Sequence, residues 1–475
     1  MVVIKSFTLV LLFTTSVSAL NLGFTAQTTR QVAKLTNTKA VALPTNIAEQ
    51  ERPKLTDDWA TKLDYDAFAR DVNALGKELL EETGEQDVKH LQKLLLWKNI
   101  AAFIGVATMW TLPNPITVAA LSTWTYASWT MIAHHTCHGG YNRVDAGRFH
   151  SRGFALGSVA RRLRDWGDWM LPEAWNVEHN RLHHYRLGEE EDPDLVQRNL
   201  EFLRSSKMPM PLKYAVVALL APVWKWYYYA PNTYKELQLE RYRREGRPLP
   251  AGLDPAAAVT LRTLLFARGP GERAARQLVP LRQVAARVLA PFLITRFLLL
   301  PAPLLLLAPG GLGPRLFGNA VLNLLLAELL TNAHAFATIV TNHAGPDVYA
   351  FEGAVRPKSG AFYVRQVTGS VNYRGGNDAL DFAHGWLNYQ IEHHVWPDLS
   401  MLAYQRGAPR LRALCARHGV PYVREGVLQR VRKTVDVMVG RSSMRQLDPA
   451  LEPAKDRAPA VTWRSSHGAI DDAGE

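Results

Sequence analysis

Histidines occur in this chain in three short boxes far apart in sequence, and any fold it adopts must either gather them or leave them scattered. HHTCH supplies His134, His135 and His138; EHNRLHHYRLGEEEDPD supplies His179, His183 and His184 beside a run of acids; NYQIEHHVWPD supplies Gln390, His393 and His394. On a helix, residues three or four apart share a face. His134 with His138, His179 with His183, and Gln390 with His393 and His394 can therefore each aim several nitrogens at one point. That is metal-ligand spacing.

Structural zinc is usually closed by four ligands and favours cysteine. This chain has two cysteines, Cys137 and Cys415, and no HExxH signature. The boxes hold eight imidazoles, too many for one zinc, and imidazole also suits iron. A two-metal histidine site is the economical reading. A single pair such as His134 and His138 would as readily be two ordinary histidines on a helix face; three boxes with doubled histidines, two of them beside long apolar runs, are not explained that way. Glu178, Glu189, Asp192 and Asp194 can steady ligand imidazoles through their free N–H groups, or form a solvated acidic loop.

The apolar runs come in pairs. Leu95–Leu112 and Ile116–Ala133 flank the turn Pro113-Asn114-Pro115, and Val288–Ala308 and Leu316–Thr341 flank Pro309-Gly310-Gly311. Each approaches the roughly 20 residues that cross a bilayer, and the second run of each pair leads to histidines. A further run, Tyr214–Ala230, is broken by Pro222 and Lys225. If it crossed, box three would face away from boxes one and two, so it reads as an interfacial or buried helix, as does Arg161–Trp175. The expected fold is all-α: an integral-membrane helical bundle of about four transmembrane helices in two hairpins, with interfacial helices and a box-side cap. Apart from Arg315 the hairpin turns lack Lys and Arg, whereas Arg161, Arg162, Arg164, Arg241, Arg243 and Arg244 crowd the box side. The positive-inside rule then points the boxes to the cytosol or to a plastid stroma. The net charge of +12 goes with a membrane face or an acidic partner, because no aromatic-studded basic patch suggests nucleic acid.

No acid occurs before Glu49. Lys5, the apolar stretch Phe7–Phe13 and the small residues Val17-Ser18-Ala19 form a signal-peptide pattern over 1–19. Residues 20–48, rich in Thr and Ala with Arg30, Lys34 and Lys39, have transit-like composition. Together they resemble the bipartite leader of proteins sent to plastids bounded by extra membranes; a plain secretory leader, with the endoplasmic reticulum as destination, is the alternative. Residues 49–92 read as a polar helical region with periodic Leu75, Leu79 and Leu80, and 93–441 as the membrane domain. Within it, 232–286 reads as a basic insertion, either a solvated, partly disordered face or a docking surface for an acidic carrier. Residues 442–475 read as a disordered tail.

The pattern HxxxH, HxxxHH and QxxHH, with box three inside GWLNYQIEHHVWPDLS, resembles the membrane-bound fatty acid desaturase family from about residue 90 to 435, and QIEHH resembles its front-end acyl desaturases. The resemblance implies two iron ions held by His134, His138, His179, His183, His184, His393 and His394, with His343 of TNHAGPD as a ligand supplied between boxes two and three. His135 stands where many relatives have an acid, and Gln390 where many have histidine. These two, with His334 and Asp192, read either as metal ligands or as partners of ligands, and His334 equally as a structural histidine or tunnel residue. His384 reads as structural, while Glu328 and Asn332, at membrane depth, should face the bundle interior. The implied activity is O2-dependent introduction of a cis double bond into a lipid-linked fatty acyl chain, with electrons from ferredoxin or cytochrome b5. No HPGG haem signature is present, so the donor is separate, and a plastid leader favours ferredoxin. A hydroxylase or ketolase acting on a fatty acyl, sphingoid or carotenoid substrate is the enzymatic alternative. A non-catalytic membrane receptor that keeps a histidine metal site is the alternative from another class.

Overall fold

The computed structural model describes residues 57–306 and 311–458. The expected leader, the turn residues Pro309 and Gly310, and residues 459–475 lie outside that range. Helix α1 (Tyr65–Glu81) begins at Asp64, whose carboxylate accepts from the Ala67 N–H at 2.9 Å and so satisfies one of the free donors of a first helical turn. Phe68, Val72, Leu75 and Leu79 recur at helical spacing and are buried. This face packs on the helix Met401–His418, where a Cβ on Gly407 would stand 2.9 Å from Leu79. The polar N-terminal region is thus docked on the body.

Helices α2 (Glu85–Thr108) and α3 (Pro115–Tyr126) form the first expected hairpin. Pro115 occupies the first turn and Asn114 caps it, accepting from Thr117 N–H at 3.0 Å. Gly105 lets the two helices close, since a Cβ there would meet Leu121 at 2.7 Å. After the box-two region come α4 (Met210–Leu220), α5 (Ala230–Arg244) and α6 (Leu312–Thr338). Asn323 of α6 donates to the Met109 and Thr111 carbonyls at 2.9 and 3.0 Å, supplying partners where the helical ladder of α2 has run out. Ser122 and Tyr126 of α3 bond Thr331 and Thr338 of α6 at 2.9 and 2.8 Å. Two helical stretches, Pro270–Leu306 and Leu312–Asn342, are long and apolar enough to cross a membrane. Leu96, Ile100, Phe103, Ile116, Ile294 and Leu298 expose large side chains, an apolar belt typical of a lipid-facing surface.

The C-terminal part holds β1 (Tyr349–Ala350), α7 (Gly360–Thr368), β2 (Asn372–Tyr373), α8 (Gln390–Val395), α9 (Met401–His418), β3 (Arg424–Glu425), α10 (Val427–Met438) and β4 (Arg445–Gln446). β1 pairs in parallel with β4, and β2 with β3. One core joins α1, the box segments, α5 and α7 to α9, so the cap over the histidines is continuous protein.

Several expectations are corrected. Only the start of the 232–286 segment departs from a solvated face: residues 230–240 of α5 are all buried, while 241–258 is half-buried or exposed. Its charges find partners, with Lys235 donating to the Pro255 and Ala257 carbonyls at 2.9 and 3.3 Å and Glu240 meeting Arg243 and Arg244. Arg161–Trp175 is not one interfacial helix, because it breaks at Gly167 (φ 65°) and buries Arg162, which donates to the Arg287, Val288 and Trp169 carbonyls. The 442–475 tail is ordered through 458: β4 pairs with β1, and Leu447, Glu452 and Asp456 are buried. Its polar composition hid those buried anchors.

Candidate metal centre

Box one sits at the end of α3. The helix widens into a π-helical turn, Ala127–Ala133, and returns to α-helix at His134–Cys137. Box two lies within a π-helical stretch, Asn176–His183, followed by the short turn His184–Arg186. Such turns recur at functional sites, and here they replace the plain α-helices that spacing alone suggests. Box three is α8, entered through two left-handed residues, Gly385 (φ 66°) and Trp386 (φ 60°). A non-glycine residue holds that conformation only when its surroundings impose it. The Trp386 indole is buried and donates to the Met401 carbonyl at 2.8 Å.

The three boxes converge. His134, His138, His179, His184 and His393 bring ring nitrogens within 4.8 Å of one another, and His183, His343 and His394 do the same in a second group. All eight imidazoles expected as ligands therefore fall into two sets. Asp194 joins His179 and His183 in an overlapping third. Sequence adjacency misleads at box two: the rings of His183 and His184 are nearly perpendicular, 87° apart, and go to different groups.

The donor chemistry fits cations. His134 Nδ1 faces the Thr130 carbonyl at 3.2 Å and His393 Nδ1 the Tyr404 hydroxyl at 3.3 Å. A neutral imidazole has one donor nitrogen, so with the protons on Nδ1 both Nε2 atoms present lone pairs. Yet they stand 2.9 Å apart, and His134 Nε2 is also 3.0 Å from His179 Nε2. Facing lone pairs repel, and a shared metal ion turns the repulsion into ligation. His138 Nε2 and both ring nitrogens of His184 and His394 are buried without partners, each costing about 1–3 kcal/mol if left so. Burial and then neighbouring imidazoles hold His179, His184, His393 and His394 well below the ordinary histidine range, keeping them in the neutral, ligating form.

Other polar contacts aim the rings. Burial pulls His183 down, but the Asp192 carboxylate, 2.9 Å from its Nδ1, outweighs that and leaves it raised. Asp192 also accepts from the Gly188 and Asp194 N–H groups at 2.9 Å each and stands in neither histidine group. Gln390 lies against the three-histidine group; its Nε2 is 3.1 Å from His343 Nε2, and its Oε1 accepts from Asn342. His135 stacks on His134 and directs Nδ1 to the Met131 carbonyl at 2.6 Å. His334 stacks on Tyr126 at 3.9 Å and turns Nε2 to the Ala383 carbonyl at 2.8 Å; it and His384 join no histidine group. Burial lifts Glu178 well above the carboxylate range and Asp194 to about 6.

Sequence reasoning missed Trp175, which stacks on His179 at 4.5 Å, and Tyr404. The first stands one helical turn before its histidine and was legible in principle. Nothing in the sequence links Tyr404 to His393. An apolar cavity of about 140 Å³ has His343 and Asp194 in its wall, with Val217, Trp224, Phe336 and Ala258 among the other lining residues. Ala258 comes from the segment first read as an insertion, held there by Lys235 and by the Asn232 side chain, which accepts from Val259 N–H at 3.1 Å.

The family model for fatty acid desaturases matches residues 108–426. Over 111 residues the chain is 32% identical to an NADPH-dependent stearoyl-CoA 9-desaturase of Mycobacterium tuberculosis, covering 23% of this chain and 26% of that protein. It is 49% identical over 43 residues to fatty acid desaturase 3 of Bos taurus, 9% of this chain and 10% of that protein. It is 30% identical over 82 residues to Delta(8)-fatty-acid desaturase 1 of Arabidopsis thaliana, 17% of each. The aligned segments thus span between a tenth and about a quarter of these curated relatives. No solved structure matches the chain.

Proposed function

The chain belongs to the fatty acid desaturase family, and on that premise we propose that it is an O2-dependent di-iron desaturase introducing a cis double bond into a lipid-linked fatty acyl chain. The observation that carries the proposal is the meeting of two buried imidazole groups with an apolar cavity that has His343 in its wall. In this reading His134, His138, His179, His184 and His393 hold one iron, and His183, His343 and His394 the other. Bound iron supplies, with O2, the oxidising power to take hydrogen from an unactivated methylene, which no side-chain base can do.

The chain's own residues position and protect. The Thr130 carbonyl, the Tyr404 hydroxyl and the Asp192 carboxylate hold ring orientations. The cavity wall keeps water out and sets which methylene lies beside His343, a matter of orientation. The names of the relatives, all fatty acid desaturases, support an acyl substrate. We read α2, α3 and the two long apolar helices as four spans with the boxes on the stromal or cytosolic side. Electrons come from a separate carrier, ferredoxin if the leader directs the chain to a plastid and cytochrome b5 if it stays in the endoplasmic reticulum.

The test is expression without residues 1–48 in a host supplying ferredoxin, followed by mass spectrometry of total lipids with double-bond localisation. A new double bond that disappears in His393→Ala/His394→Ala is expected. A new hydroxyl or keto group would replace the proposal with the hydroxylase or ketolase reading, and unchanged lipids from an iron-free protein would favour a non-catalytic role.

A further inference from the structure

The C-terminal strap, residues 442–458, ends in a buried ionic junction that reaches toward the histidines. Arg365, on the fully buried helix α7, directs its guanidinium to two acids: Nε and Nη2 donate to Glu452 at 2.7 and 2.5 Å, and Nη1 donates to Glu189 at 2.8 Å. It also donates to the Gly353 and Glu352 carbonyls at 2.7 and 3.2 Å. Arg365, Glu189 and Glu452 are all buried. A buried charge is tolerated only where partners surround it, and the strap supplies one of the two carboxylates that surround Arg365.

Glu189 belongs to the acidic loop after box two. Its neighbour Gly188 accepts from the Phe351 N–H at 2.8 Å, just past β1, and β1 is the strand that β4 of the strap pairs with. Gly188 has φ 72°, and a Cβ there would lie 3.0 Å from the Phe351 ring and from the Tyr349 carbonyl oxygen, so loop and strand fit with no room to spare. The Gly188 N–H donates to Asp192 Oδ2, and Asp192 Oδ1 meets His183 Nδ1, each at 2.9 Å. A continuous run of hydrogen bonds and one peptide step therefore leads from Glu452 through Arg365, Glu189 and Asp192 to His183. The ring contacts found in the five-histidine group, Thr130 to His134 and Tyr404 to His393, lie outside this path.

We propose that Arg365 is a positioning residue for the three-histidine group, and that the C-terminal strap, through Glu452, is part of the shell that retains its metal. The proposal rests on the di-iron reading. It predicts unequal damage: when the junction is broken, metal leaves the His183, His343 and His394 group while the five-histidine group keeps its own.

The experiment uses the full chain, purified in detergent and loaded with Fe(II). Iron per chain and the rate of iron release to a chelator are measured alongside Mössbauer spectra. Wild type should hold two irons. Arg365→Met should fall to about one, with one of two spectral components lost, while Arg365→Lys, which keeps the charge, should recover part of the second. If Arg365→Met does not fold, Glu452→Ala tests the same path, since Arg365 keeps its Glu189 and carbonyl partners. It should speed iron release from one of the two sites about tenfold, the lower end of what loss of an outer partner costs a metal site. Equal loss from both sites, or release indistinguishable from wild type, would overturn the proposal. A wild-type chain that loads no iron would overturn the di-iron reading itself and the proposal with it.

Discussion

The two histidine groups are built on different principles. The five-histidine group is crowded: five imidazoles share one space, Trp175 covers His179, and the hydrogen-bond partners of its rings include a main-chain carbonyl and a tyrosine hydroxyl. The three-histidine group is sparse. It draws His343 from outside the boxes, leans on the Asp192 carboxylate and the Gln390 amide, and borders the apolar cavity. Where imidazoles pack against one another, geometry is set by the helices that carry them. Where they are few, it depends on charged neighbours that are themselves held by distant parts of the chain.

The strongest way to break this contrast is to remove an imidazole from the crowded group. His393→Ala should abolish product and lower iron below one per chain, because His393 faces His134 and adjoins the other group through His394; lipid analysis and iron assay check it. Asp192→Asn should come next. It should weaken metal binding about 10–100-fold in the sparse group alone, read as one fast and one slow phase of iron release. Tyr404→Phe removes a neutral contact to His393, so a loss of about 0.5–1.5 kcal/mol, roughly two- to tenfold in activity, is expected without change in iron content. Ala258→Phe should leave both groups fully loaded and instead change which acyl chains are converted, since it narrows the cavity next to the sparse group. An unchanged product profile would remove Ala258 from the substrate path.

Seven of the eight ligand candidates were legible because doubled histidines recur in three boxes, and His343 only through the family resemblance; each falls in one of the two groups. Their partition was not legible. His183 and His184 are neighbours in sequence, yet successive helical residues turn by about 100° and their rings go to different groups, as do those of His393 and His394. The apolar runs were readable from composition, whereas α5 was not: its buried face carries Asn232, Lys235 and Glu236, acceptable only because loop carbonyls and neighbouring charges answer them. The strap was misread for the same reason. Charge composition reports what a segment carries, and burial depends on who meets it.

The π-helical turn before box one has a consequence for sequence length. Seven residues at the wider π-helical pitch turn the chain about as far as six α-helical ones, so a single deletion between Ala127 and Ala133 that relaxes the turn to α-helix would leave His134 and His138 near their present direction, while an insertion would swing them off the other boxes. All seven residues are buried, so replacements there cost what core substitutions cost. In a library of single-codon changes, this window would accept a one-residue deletion more readily than an insertion or a bulky replacement.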